Sequence, residues 1–440
     1  MEETVQSAGG RGLIARMGLV QACLGAVVVL TTSTLNRVMV VELALPAVLP
    51  GLLVGLHYAI QITRPNWGFR SDTRGNRTTF VILGMAVLAL GAFLATLGMV
   101  WMQTAYLAGL VLSVLAYALI GLGVGASGTS LLALLATATH PRRRAAAATI
   151  TWLMMIFGIA VTATVVGKAL DPYSPQLLLE LVALVGMAAV VVTTLAVYGI
   201  ERRHRSATPA TLERAVPFRV GLAEIWAERR ARHFTLFIFL SMTAYFMQEL
   251  ILEPYAGLSF GLTPGQSTAL SGAQNGGVFV GMLLVGIAAT GFKIGSLRVW
   301  IITGCLGSAL ALLTLAALGQ IPQGGTLLLP ATVALGLFNG MFAVAAIGSM
   351  MALAGEGRQA REGTRMGLWG ASQAIAAGLG GLVGAAAVDI ARHMTDDATA
   401  FGLVFTLEAG LFGIAAVMAA QIIGAGQGAP DIKRFQGDSA

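Results

Sequence analysis

The sequence is poor in charge and cysteine and has one long polar stretch, and each shortage excludes something. Only 11% of its 440 residues are Asp, Glu, Lys or Arg, against roughly 25% in soluble domains, so most of the chain cannot face water. Two cysteines, Cys23 and Cys305, each lie inside an apolar run. A disulfide framework is therefore not expected, and no metal-ligand spacing exists. The sequence offers no nucleophile–base pair, no metal motif and no glycine loop in a strand-to-helix context. Nucleotide binding and enzymatic catalysis are accordingly not expected. No short apolar region with a small-residue cleavage site follows the polar start from Met1 to Arg16, so no cleaved signal peptide is expected.

What the chain has instead is apolar length. Hydrophobic residues make up 56% of it, the mean hydropathy is +0.81, and there are 56 glycines. That glycine content weakens a soluble fold but suits membrane helices, whose backbones approach closely over small residues. A bilayer-spanning helix needs about 20 mainly apolar residues. Such stretches fall near 17–44, 47–66, 78–100, 104–137, 145–168 and 177–199. A second set falls near 233–256, 267–290, 298–318, 326–353, 365–388 and 400–423. The expected domains are an N-terminal six-helix bundle (1–200), a basic connector (201–232) with eight arginines, and a C-terminal six-helix bundle (233–440). The first turn is expected at Pro46 to Pro50, which makes span 1 long and buries Arg37 and Glu42. Two prolines mark a turn, and tilt accommodates the extra length.

Lys and Arg predict the orientation. With the N-terminus inside, 24 of the 27 basic residues fall on the inner side, and only Lys168 and Arg392 fall outside, Arg37 lying within span 1. Both termini are therefore expected in the cytoplasm. The net charge of +7 is explained by topology and attraction to anionic lipid headgroups, with no need for nucleic acid. The halves also echo each other at a shift of 217–218 residues: Trp152 with Trp369, Gly167 with Gly384, Pro46 with Pro264, Asp171 with Asp389. Duplication of a whole bundle gives such a period. Six plus six spans with a cytoplasmic connector is the architecture of the major facilitator superfamily, so the expected fold is all-α and membrane-embedded, with twelve helices in two pseudo-symmetric bundles.

Two constellations carry possible chemistry. Gly68-Phe-Arg-Ser-Asp72-Thr-Arg74-Gly75-Asn-Arg77, between spans 2 and 3, resembles the loop signature of that superfamily, although Thr73 and Asn76 stand where it usually has basic residues. Gly68 permits close helix approach, Gly75 a tight turn, and Asp72 can pair with an arginine or a helix N-terminus. The motif reads either as a conformational latch or as a basic loop obeying the positive-inside rule. The second constellation is a polar set at membrane depth: Arg37, Glu42, His57, Gln61, Gln248, Glu249, Glu253 and Asn275. Ionisable residues in spans cost at least ~2.5–3.5 kcal/mol each, so they normally have partners or face a cavity. An ion pair of Arg37 with one of the glutamates and a substrate cavity both fit. His57 can ligate a tetrapyrrole magnesium or simply be a hydrogen-bonded histidine. Glu249 and Glu253 share a helix face, which suits a proton-coupling site or pairing with Arg37. Runs such as Gly121-x-x-x-Gly125, Gly272-x-x-x-Gly276 and Gly380-x-x-x-Gly384 are expected to serve helix packing.

Several stretches resemble the PucC/LhaA family. They are Thr31-Thr-Ser-Thr-Leu-Asn36-Arg37-Val-Met-Val-Val-Glu42-Leu-Ala-Leu-Pro46-Ala, Leu56-His57-Tyr-Ala-Ile-Gln61, Arg64-Pro-Asn-Trp67-Gly68, Met247-Gln-Glu249-Leu-Ile-Leu-Glu253-Pro254-Tyr255-Ala-Gly257 and Phe260-Gly-Leu. The resemblance spans both halves. It implies a bacteriochlorophyll-delivery branch of the superfamily, in the inner (intracytoplasmic) membrane of anoxygenic phototrophic bacteria. Its members assist assembly of light-harvesting complexes by handing pigment to antenna apoproteins. One branch goes with the last steps of bacteriochlorophyll synthesis, and the stretch from Thr63 to Asp72 inclines towards it. The resemblance thus implies bacteriochlorophyll or a prenylated precursor as bound ligand, and antenna apoproteins or late synthesis enzymes (prenyl reductase, synthase) as partners. Two other functions fit the residues: a proton-coupled transporter of an amphiphile, and a non-transporting scaffold for a pigment-synthesis enzyme.

Overall fold

A computed structural model describes residues 2–64, 67, 77–138, 144–200, 226–292, 294–321, 323–355 and 362–422. The first helix, α1, begins as Glu2–Val29 and runs on through a π-helical turn (Leu30–Thr34), a short α segment (Leu35–Arg37) and a second π turn (Val38–Glu42). It is followed by α2 (Val48–Ile60), α3 (Arg77–Met102), α4 (Tyr106–Ala138), α5 (Arg144–Ala169) and α6 (Pro175–Val197). The second half comprises α7 (Arg229–Phe260), α8 (Pro264–Gly286), α9 (Leu297–Leu318), α10 (Gly325–Gly355), α11 (Glu362–Arg392) and α12 (Asp397–Ile422). Eleven of these are long and apolar enough to cross a bilayer. The exception is α2. Its 13 residues cover about 20 Å of a hydrocarbon core near 30 Å, a 3-10 turn (Gln61–Thr63) follows, and residues 65 and 66 of the expected span lie outside the described residues. Helix α7 begins at Arg229, inside the stretch assigned to the connector.

The first turn lies at Leu43–Ala47, where Ala44 takes a left-handed φ of 50°. Pro46 sits in it, but Pro50 falls in the first turn of α2, where a missing N–H costs nothing. Expected burial holds for Arg37, which is 2% exposed, and fails for Glu42, which is 36% exposed. The helix ends at Glu42, so its side chain reaches the rim while Arg37 lies more than a turn deeper.

Packing repeats between the halves. Helix α1 lies on α5 and α6 as α7 lies on α11 and α12; α3 lies on α4 and α6 as α9 lies on α10 and α12. Small residues set the closest approaches. Gly84, Gly91 and Gly98 of α3 recur every seven residues and meet the backbone of α4 at Gly123, Ala116 and Gly109. Of the three glycine runs singled out in the sequence, Gly121 abuts α2, Gly272 abuts α5, and Gly380 and Gly384 abut α7; Gly276 has no neighbour within 4 Å. The halves meet through α5 on α8 and α2 on α11, two versions of one contact, and through α1 on α7. Two large apolar cores result, one inside each half.

Candidate functional site

The polar set does not form one cavity. It separates into three groups, fixed by where the chain bends.

The first group ties the halves together at the end that carries the α1–α2 and α7–α8 turns. Pro254 lies inside α7, and a proline removes the N–H that the carbonyl four residues earlier would accept. That carbonyl is Leu250 O. Asn36, on α1, donates its amide to Leu250 O at 2.6 Å. One residue on, Arg37 pairs with Glu42 and donates its other terminal nitrogen to Leu262 O at 2.6 Å. Leu262 O faces it because Gly261 ends α7 in the left-handed region (φ 69°), where a Cβ is disfavoured. Gly257 leaves the guanidinium room: a Cβ there meets Arg37. At the same end Asp389 of α11 accepts from Ala47 N (2.9 Å) and Val48 N (2.7 Å). These are orphan donors of α2, which has no side-chain cap of its own. Its repeat-mate Asp171 makes no such bond; α8 is capped by its own Thr263–Gln266 box instead. Between these ties opens a cleft of about 450 Å³ lined by Arg37, Glu42, Asp171, Tyr173, Leu262 and Pro264.

The second group is deeper. The π-helical turn of α1 presents Thr31, Thr32, Ser33 and Thr34 in succession, all buried. Thr31 and Thr32 bond back to Val28 O at 2.8 and 3.2 Å, an alternative to the regular ladder that fits the widened turn. Opposite them are the two α7 glutamates. Glu253, 1% exposed, accepts from Thr268 at 3.4 Å, and Thr268 Oγ1 lies 3.2 Å from Thr34 Oγ1. Ser33 and Ser271 meet at 3.4 Å beside it. Glu249 lies beside Thr32 and is only half-buried. Arg37 acts on Glu253 through space, but its ion pair is with Glu42 on its own helix.

On α2 the ring nitrogen His57 Nε2 shares a hydrogen bond with Gln61 at 3.0 Å, and Arg64 donates to Gln61 Oε1. His57 is 2% exposed and its Nδ1 is buried without a partner. Nε2 is taken up by this chain, and Nδ1 is closed off by burial. Asn275, the repeat-mate of His57, donates to Ser271 O on its own helix at 3.0 Å. Across from α2, Tyr58 meets Phe246 (6.0 Å between centroids) and Phe246 meets Tyr245 (5.2 Å), both edge-on. Tyr58, Tyr245, Phe246 and Glu249 keep partial exposure between the halves. They form an aromatic wall with hydroxyl and carboxyl groups.

Gln248 belongs to none of the three groups and is buried on α7. Glu408 of α12 is fully buried; a lone acid in the apolar run of span 12 was the signal for it. Asn36 and Asp389 were likewise not read as functional. Of the loop motif, Gly68, Asp72, Arg74 and Gly75 lie outside the described residues, and Arg77 opens α3. Among the described residues no three His, Cys, Asp or Glu side chains cluster to hold a metal.

Comparison with known proteins decides the family. The model of the family described as "PUCC protein" matches residues 34–427. The chain belongs to that family. A protein of Rhodobacter capsulatus named "Bacteriochlorophyll synthase 44.5 kDa chain" is 69% identical over 94% of this chain and 95% of its own length. "Protein PucC" of the same organism is 29% identical over 83% of this chain and 81% of its own. Among solved structures, nucleoside transporter NupG superposes with a TM-score of 0.67 over 94% of this chain and 99% of its own, at 13% identity. A likeness that distant shows the fold, which is the two-bundle arrangement of major facilitators. The first of these names corrects one expectation. Enzymatic work was not expected because no reacting groups were found, yet a chain with most of the same residues is named as part of a synthase. A missing nucleophile or metal motif argues about chemistry within one chain and does not exclude a part in an enzyme of several chains.

Proposed function

We propose that this protein works with the bacteriochlorophyll synthesis machinery of the inner (intracytoplasmic) membrane. It binds bacteriochlorophyll or a late prenylated precursor and passes it to a synthesis enzyme, prenyl reductase or synthase, or to light-harvesting apoproteins. The observation that carries this reading is the 69% identity, over nearly the whole chain, to the synthase chain. The geometry supports it. A pigment with a flat macrocycle and a long isoprenoid tail needs an apolar host with a few oriented polar groups. The Tyr58–Phe246–Tyr245 wall offers ring faces and edges and two hydroxyl donors for carbonyl substituents. Glu249 and the hydroxyls of the α1 π turn supply polarity beside it. Arg37 and Glu42 keep one end of the inter-bundle space closed. Magnesium ligation through His57 Nε2 requires the His57–Gln61–Arg64 chain to open first.

The test is purification from native membranes in mild detergent, reading the absorption spectrum and the accompanying proteins together. Bound bacteriochlorophyll or a prenylated precursor is expected, with a synthesis or antenna protein alongside. A colourless, solitary protein overturns the handover and turns attention to pH-driven flux in the Glu249→Gln and Glu253→Gln variants.

A further inference from the structure

The core of the C-terminal half contains a polar layer that pigment handling does not use. Helices α7, α9, α10 and α12 surround that core, and each contributes one buried polar side chain: Gln248, Ser308, Asn339 and Glu408. The register places them between the same two aromatic layers. Tyr255 of α7 donates to Leu315 O of α9 at 2.6 Å, and Gln248 and Ser308 each lie two turns before those residues. Ser308 Oγ donates to Asn339 Oδ1 at 2.8 Å. Asn339 and Glu408 each lie one turn before Phe342 and Phe412, whose rings meet at 6.0 Å across the core. Aromatic layers enclose the set on both sides. Phe237, Phe342 and Phe412 form one, and Tyr255, Phe401 and Phe405 the other.

Within this layer four buried atoms lack a hydrogen-bond partner: both oxygens of Glu408, Asn339 Nδ2 and Gln248 Oε1. Among the described residues no cation balances the carboxyl group. Helix α10 and helix α12 carry no Lys, Arg or His. On α7 and α9 such residues occur only in the first turns, ending at His233 and Arg298. His233 is roughly 22 Å along the helix from Gln248. The other titratable groups on these helices near the layer, Cys305 and Tyr255, are neutral at physiological pH in their ordinary range. The remaining acids of α7, Glu249 and Glu253, face α1, and Asp389, Arg392 and Asp397 lie at the far ends of α11 and α12.

An isolated carboxylate in such a place neutralises by taking a proton. The orphan atoms match that form. A carboxylic acid offers one donor and one acceptor, and the layer presents one free acceptor, Gln248 Oε1, and one free donor, Asn339 Nδ2. A carboxylate, which only accepts, leaves Gln248 Oε1 unsatisfied. We propose that Glu408 is a proton-binding site, its acid form bridging Gln248 and Asn339 directly or through one water. The N-terminal half has no equivalent: one repeat earlier stand Leu30/Thr31, Leu90/Gly91, Gly121/Leu122 and Val190/Val191. The layer is therefore not a requirement of the fold. Losing the proton places an uncompensated charge in the bundle core, so proton occupancy is coupled to how α12 packs against α7 and α9. This inference is independent of whether the cargo is a pigment.

Infrared difference spectroscopy of the purified full-length protein near neutral pH tests it, comparing wild type with Glu408→Gln in sodium and in choline buffers. The expected result is one carboxylic-acid C=O band present in wild type, absent in the variant and indifferent to sodium. Asn339→Ala, which keeps Glu408, is expected to shift that band. No acid band lost in Glu408→Gln overturns the proposal, as does a band that appears only when sodium is removed, which makes the occupant a metal cation. Should Glu408→Gln fail to fold, an Asn339→Ala spectrum without a shifted acid band overturns it equally.

Discussion

The bond from Asn36 to Leu250 O repairs a defect that Pro254 creates, and this makes it testable as a pair. Asn36→Ala removes a 2.6 Å hydrogen bond between the halves and orphans a buried carbonyl. Side-chain hydrogen bonds inside membrane proteins average about 0.6 kcal/mol and reach about 1.7; an orphaned buried acceptor costs about 1–3. A loss of about 1–2 kcal/mol is expected. Pro254→Ala gives α7 an N–H that can reach Leu250 O along the helix. In that background the carbonyl has a second donor, so Asn36→Ala is expected to cost about 1 kcal/mol less. The assay is reversible unfolding in mixed micelles, followed by far-UV circular dichroism for wild type, both single variants and the double. If the two substitutions add within about 0.5 kcal/mol, they do not share an acceptor, and the account of why Asn36 is there fails.

Other expectations follow the same geometry. Asp389→Ala removes both acceptors from the first turn of α2, a cap loss of about 0.5–2 kcal/mol, and is expected to speed amide exchange at Ala47 and Val48. Unchanged protection there contradicts the cap. Gly265→Ala places a methyl group against Gly167 O of α5; overpacking of about 1–3 kcal/mol is expected to lower the thermal midpoint, whereas Gly276→Ala, in open space, is expected to leave it unchanged. The hydroxyl and backbone N–H of Thr399 hold the Asp396 carboxyl below its usual range. That contribution is present above the ordinary Asp value near ~3.9. It is lost as pH falls through the lower folded value, so exchange at the start of α12 should rise in acid, and Asp396→Ala should abolish that rise.

Much of the fold was legible because it depends on quantities a sequence carries directly: apolar length and a repeat of 217–218 residues. The change of helix type after Ile60 was less legible, because hydropathy counts apolar residues without showing where an α-helix tightens into a 3-10 turn. At the site, depth was readable and partnership was not. Arg37, Glu249 and Glu253 were read as one polar set; Arg37 stands with Glu42, and the two α7 glutamates stand beside hydroxyls. Nothing in the sequence showed that Arg37 takes the glutamate five residues on rather than those of α7. Partners that are backbone atoms leave no sequence signature, and Asn36 and Asp389 both act on backbone. The repeat misled in one respect. Asp171 and Asp389 occupy equivalent positions, yet only Asp389 crosses between the halves, because the α8 start is already capped by Thr263 and Gln266.

The ties between the halves have a common form with a consequence for substitution. Asn36 and Arg37 donate to main-chain oxygens, and Asp389 accepts from main-chain N–H groups. The receiving partner is a backbone atom, which a side-chain change does not delete. Each tie can therefore be removed from one side only. Arg37→Gln is expected to lose the charge-assisted bond to Leu262 O, worth about 1.5–3 kcal/mol; Glu42, being partly exposed, is left hydrated rather than stranded. Leu262→Ala keeps the carbonyl and is expected to preserve the closure. Spin labels on the α1–α2 and α7–α8 turns report the separation of the halves by pulsed electron resonance. A shift of about 1.4 kcal/mol changes a population ratio tenfold, so Arg37→Gln should add a longer-distance population at least that much larger than in wild type, and Leu262→Ala should add none. If Leu262→Ala opens this end as far as Arg37→Gln does, the closure rests on side-chain packing at Leu262, and the backbone ties are incidental to it.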